Sequence, residues 1–66
     1  MRNTIKTEII EKFMLDNKIS KTRLCKMCKI SLNTLNKIMA NNFNFKITAL
    51  FKIAKVIKIE VYKMFN

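Results

Sequence analysis

The chain has no glycine, no proline, no histidine and no tryptophan, and only four of its 66 residues are acidic. Without glycine or proline, turns must be built from asparagine, serine or lysine, and left-handed positions fall most cheaply to asparagine. Without histidine, acid–base catalysis near neutral pH loses its commonest agent. Glu8, Glu11, Asp16 and Glu60 are scattered and supply no dyad or metal cluster. No enzyme, cofactor, metal or small-molecule ligand is therefore expected. Two cysteines, Cys25 and Cys28, are too few for a disulfide scaffold. No apolar run approaches the ~18 residues of a membrane span, and the start Met1-Arg2-Asn3-Thr4 lacks the apolar stretch of a signal peptide. The expectation is a single cytoplasmic domain over residues 1–66 with no membrane partner.

What is present is positive charge. Fourteen Lys and Arg give a formal net charge of +10, while 50% of the residues are hydrophobic, so this is not a disordered basic tail. Nothing acidic lies between Asn17 and Ile59, an interval that holds ten basic residues from Lys18 to Lys58. A protein needing only solubility intersperses its signs, because like charges repel in the folded state. A composition biased by AT-rich codons accounts for lysine over arginine. It does not account for the missing acids, and a polyanionic partner does.

The apolar spacing predicts five helices. Ile5, Ile9, Ile10, Phe13 and Met14 share one face of the first, with Glu8 and Lys12 a favourable i, i+4 pair and Asn17 the stop. Ser20 caps a short second helix, with Ile19 as hydrophobic staple and Leu24, Met27 and Cys28 inward. After Lys29-Ile30-Ser31, Ser31 caps a third helix with Leu35, Ile38 and Met39 inward. Asn41–Asn44 is a loop. A fourth helix presents Ile47, Leu50, Phe51, Ala54 and Ile57, and a last short one surrounds Val61, Met64 and Phe65. An all-α bundle whose second and third helices are joined by about three residues has a helix-turn-helix layout. The FKI repeats at Phe45–Ile47 and Phe51–Ile53 are too closely spaced for a solenoid unit and are read as composition.

The segment Ser20–Met39 carries the chemistry. Lys21 and Arg23 fall in the first turn of a helix, where an exposed cation costs about 0.3–1 kcal/mol against the helix dipole. A capping box would place Glu at position 23. The placement makes sense where helix N–H groups and basic side chains converge on a phosphate; otherwise it is a tolerated imperfection. The third helix displays Leu32, Asn33, Asn36 and Lys37 outward, with Thr34 between them. Asparagine pairs bidentately with adenine, lysine donates to guanine, and an apolar side chain touches a thymine methyl. The alternative is a solvated polar face.

The string Ser20-Lys21-Thr22-Arg23-Leu24-Cys25-Lys26-Met27-Cys28-Lys29-Ile30-Ser31-Leu32-Asn33-Thr34-Leu35 resembles the helix-turn-helix motif of the Cro/cI-type (Xre) repressors, and the resemblance extends over nearly the whole chain. Leu50–Phe65 is similar to that family's fourth helix, turn and fifth helix, with Ile59 at the apolar turn position and Met64 and Phe65 as the terminal core pair. The resemblance implies a compact five-helix bundle of the lambda-repressor-like type. It also implies a nucleoid-associated, sequence-specific transcriptional regulator, a repressor, that reads the major groove with the helix at about 32–40. The implied partner is double-stranded DNA carrying an AT-containing palindromic operator. Leu32, Asn33, Asn36 and Lys37 would read bases. Lys21, Thr22, Arg23, Ser31, Thr34, Asn42, Asn44 and Lys46 would hold phosphates, and a homodimer would form through Tyr62 and Phe65. Lys29 and Asn41 stand where the family has Gly, Lys21 replaces a frequent Gln, and Met39 a frequent Glu. A left-handed Lys29 would carry strain of order 1 kcal/mol.

In the same register Cys25 occupies a close-packed Ala position and Cys28 a core Leu position, so both are read as small core hydrophobes. Zinc needs about four ligands, which only two chains sharing their pairs could supply. The competing function is a helix-turn-helix scaffold whose basic face blocks an acidic partner as an inhibitor or antirepressor, with Phe43 and Phe45 as its aromatic contacts. A membrane-active basic peptide fits poorly with several capped, separate amphipathic helices.

Overall fold

The computed structural model describes residues 4–66. Its elements are α1 (Thr7–Asn17), α2 (Lys21–Cys28), α3 (Leu32–Met39), α4 (Ile47–Ile57) and a closing 3-10 turn (Val61–Met64). Among the described residues there are thus four α-helices, not five. The last segment, four residues long, is too short to support α-helical hydrogen bonding and tightens into a 3-10 turn.

Serine starts the two middle helices as expected. Ser20 Oγ accepts from the Arg23 N–H at 3.3 Å, and Ser31 Oγ accepts from the Thr34 N–H at 3.1 Å. Ile19 and Ile30, each just before its cap, pack half-buried against the core. Helix ends follow a rule that the sequence advertised only at Lys29. Lys18, Lys29 and Lys58 all take the left-handed conformation, at φ 53°, 58° and 69°, and each is followed by an isoleucine. The N–H groups of Ile19, Ile30 and Ile59 reach back to the carbonyls of Met14, Cys25 and Ala54, and all three side chains fold onto the core. These are Schellman-type ends made with Lys-Ile in place of Gly-Val. Asn17, the expected stop, closes α1 but is not left-handed; its side-chain amide donates to the Phe13 carbonyl at 2.8 Å.

The core comprises Ile10, Leu24, Leu35, Ile38, Leu50, Ile53 and Met64, fully buried, together with Ile5, Cys25, Cys28, Ala49 and Ala54. α2 packs against α3 and α4, and α4 against the closing turn. Three inward assignments are corrected. Met27 is 42% exposed, and Ile47 and Phe51 (54%) face outward, because α4 is buried along Ala49, Leu50, Ile53 and Ala54. Ile5 is buried but precedes α1. Lys12 pairs with Asp16 at 3.3 Å, one turn further on, and not with Glu8.

Ile5 and Phe65 form a single antiparallel bridge. The Lys6 N–H donates to the Met64 carbonyl at 2.7 Å and the Asn66 N–H to the Thr4 carbonyl at 2.8 Å. On the other edge of the same short segment, the Ile5 N–H donates to Asn41 Oδ1 at 2.6 Å, and Asn41 Nδ2 donates to the Ile5 carbonyl at 3.4 Å. Residues 4–6 are therefore clasped between the end of α3 and the last residues of the chain. Among the described residues no polar side chain is buried, and no helix is long and apolar enough to cross a membrane.

Candidate nucleic-acid interface

The turn Lys29-Ile30-Ser31 joins α2 to α3 in the three residues anticipated, with Lys29 in the left-handed conformation that a glycine would adopt without strain. The turn fixes α3 by its buried face, Leu35 and Ile38, and leaves the opposite face free. Leu32, Asn33 and Asn36 are exposed there. Lys37 is half-buried and turns to the flank of α3, away from the outermost line on which Asn33 sits. No side-chain hydrogen bond occupies Asn33 or Asn36 among the described residues, so their amides are free to meet a base edge.

The expected phosphate contacts divide into two places. Lys21, Thr22 and Arg23 lie exposed in the first turn of α2, with Lys21 bordering a shallow hollow shared with Glu11, Leu15 and Lys18 of the α1 end. Thr34, Asn44 and Lys46 instead line a second, open groove of about 340 Å³ between α3 and the head of α4, where the expected base reader Lys37 joins them. Ser31 and Thr34 share a hydroxyl–hydroxyl hydrogen bond of 2.8 Å, which consumes one of their two O–H donors and leaves the other for an external acceptor. Asn42 Oδ1 accepts from the Asn44 N–H at 3.1 Å, which rigidifies the loop while keeping the Asn42 amide donor free.

Within that loop Phe45 packs half-buried against the core, and the exposed Phe43 stacks on it with ring centroids 6.0 Å apart. The pair anchors the loop, and this accounts for two aromatics there. Of the dimer candidates, Tyr62 is 69% exposed, whereas Phe65 is half-buried and committed through its backbone to Ile5.

Cys25 and Cys28 are free thiols, both buried. Burial raises the Cys25 pKa; at Cys28 burial, reinforced by the neighbouring Cys25, raises it to about 11. Both stay protonated at neutral pH and are poor nucleophiles and poor metal ligands. Among the described residues no three Cys, Asp or Glu side chains are grouped to hold a metal ion.

Sequence reasoning missed the side chain of Asn41. The signal for its left-handed backbone was read, and the structure bears it out at φ 56°, but its two hydrogen bonds to Ile5 span 36 residues and leave no local pattern.

The family model of the Cro/C1-type HTH DNA-binding domain matches residues 10–61, from α1 to the start of the closing turn. No curated protein and no solved structure gives a significant match.

Proposed function

Since the chain belongs to the Cro/C1-type helix-turn-helix DNA-binding domains, we propose that it is a sequence-specific regulator that represses by occluding its promoter. The observation that carries this reading is α3 itself. Directly after the tight turn it presents Leu32, Asn33 and Asn36 unengaged to the outside, while Leu35 and Ile38 lock its inner face. Laid in a major groove, Asn33 and Asn36 pair with adenine edges, Leu32 covers a thymine methyl, and Lys37 reaches guanine or the adjoining backbone. Lys21, Thr22 and Arg23 grip one stretch of phosphates; Ser31, Thr34, Asn42, Asn44 and Lys46 grip another. Two copies meeting through Tyr62, with Phe65 beside it, would place their α3 helices about 34 Å apart on a palindromic site containing A·T pairs. The protein acts at the nucleoid.

The test is duplex binding under salt titration, with random DNA and with a pool enriched by selection. Affinity for both falls steeply with salt, and the selected site is preferred roughly 10³-fold or more. Equal affinity for every duplex removes the sequence-specific role, and no binding at low salt removes DNA as the partner. In the latter case the scaffold that blocks an acidic protein is the surviving reading. A light-scattering mass of one chain at tens of micromolar would count against the dimer.

A further inference from the structure

Two surfaces of the chain complement each other. The first is a stripe on α1, where Glu8, Glu11 and Leu15 follow at i, i+3 and i+7 and are all exposed. Leu15 is 78% exposed, the largest value among the exposed large apolar residues. Lys12 beside it is tied to Asp16, whereas Glu8 and Glu11 enter no ion pair among the described residues. The second is a hollow of about 320 Å³ between the last turn of α2 and α4. Met27, Cys28 and Val56 give it an apolar lining, and the exposed Lys29, Lys52 and Lys55 complete its wall. Met27 is the residue that helical spacing places inward and the fold leaves partly open, at the edge of this hollow.

We propose that a second copy of the chain docks here: Leu15 of one copy enters the hollow of another, and Glu8 and Glu11 meet the lysines of its wall. Charge identifies the occupant. The hollow suits an apolar side chain flanked by carboxylates, and of the exposed large apolar residues only Leu15 has two within two helical turns. Insertion of the leucine supplies the strength of the contact; exposed ion pairs, worth little by themselves, fix its register. The two surfaces are different, unlike a self-contact through Tyr62, so the charge of each can be reversed alone. Neither includes a residue proposed to meet the duplex, although Lys29 and Lys52 also border the groove beside α3.

The experiment is sedimentation of the full chain from about 10 µM to about 1 mM in roughly 0.15 M sodium chloride, where a screening length of about 8 Å shortens the repulsion between copies. The mean mass of the parent rises above one chain over this range. Glu8→Lys with Glu11→Lys reverses the stripe, and Lys52→Glu with Lys55→Glu reverses the wall of the hollow. All four positions are exposed, and circular dichroism checks that each variant keeps the parent's helices. Each variant alone needs at least about tenfold more protein to associate, and the two mixed recover the parent's association within about threefold. Net charge does not imitate this result: the second variant is less positive than the parent and by repulsion alone would associate more readily. Leu15→Ser, with no change of charge, also loses about tenfold or more. Association that survives both reversals, or reversed variants that associate no better mixed than apart, overturns the proposal. A parent of one-chain mass throughout overturns it too, and leaves the hollow to an acidic protein of another kind.

Discussion

At Lys58 the Cβ crowds the following carbonyl, a strain of order 1 kcal/mol that glycine would not carry. A cation just past a helix end recovers about 0.3–1 kcal/mol from the dipole, so the two terms nearly balance, and lysine is a tolerable left-handed residue in a chain without glycine. Lys58→Gly should therefore leave stability within about 1 kcal/mol of the parent, or slightly above it. Asn41→Gly should do the opposite, although glycine is the residue the family favours there. It keeps the left-handed backbone but strips two hydrogen bonds from the part-buried Ile5 backbone, a loss of about 1–3 kcal/mol. Urea unfolding of the two variants decides the matter; equal behaviour would mean that the Asn41 side chain is idle. The thiols add a pH dependence. The unfolded chain releases the Cys28 proton near 9.0 and the folded chain near 11, so between these values the unfolded state binds fewer protons. Stability consequently falls as pH rises through that window and is unaffected below it. Cys28→Ala, less stable throughout, should lose that part of the alkaline decline.

On the scale of elements, the proposed function gives α3 two jobs along its circumference. Asn33→Ala or Asn36→Ala should relax base preference by about 1–3 kcal/mol at single positions. Lys21→Ala, at the head of α2, should weaken all sequences similarly. A selection repeated with each variant checks this: an unaltered site with either asparagine variant would show that α3 does not read bases. The helix-turn-helix itself was legible because each of its signals is local. Ser20 and Ser31 cap, Leu24, Cys28, Leu35 and Ile38 keep helical spacing, and the turn between them is short. The burial of α4 was not legible. That helix is apolar round most of its circumference, so periodicity does not fix its inner face, and the expected stripe was rotated towards Ile47 and Phe51. The true face includes Ala49, small enough for close approach yet weak in any hydropathy pattern, and Ile53, which the stripe omitted. The helix ends were hidden for another reason. Lys-Ile marks three of them, but the same dipeptide occurs inside α3 and α4 at Lys37-Ile38 and Lys52-Ile53. Only tertiary packing of the isoleucine tells the two uses apart.

For the molecule as a whole, the net charge of +10 is opposed among the described residues by one ion pair, the exposed Lys12–Asp16 contact. Such a pair is worth about 0–1 kcal/mol, whereas the repulsion is summed over the surface. Added salt screens both, and repulsion is the larger, so the thermal midpoint should rise between roughly 50 and 500 mM sodium chloride while DNA affinity falls over the same range. Opposite salt responses of stability and binding are the expected pairing, read by calorimetry and anisotropy; a midpoint that falls would show that attraction dominates the surface. The clasp that holds residues 4–6 bears on a different matter, the order of events during folding. The helices pack on elements near in sequence, the longest such step being α2 against α4. Ile5, by contrast, finds one of its partners at Asn41 and the other at Phe65, some sixty residues away, a loop whose closure is among the slowest and entropically most expensive steps available to so short a chain. A chain truncated before Met64 thus loses a fully buried core side chain and leaves Ile5 uncovered on one edge, open to whatever apolar surface is nearby.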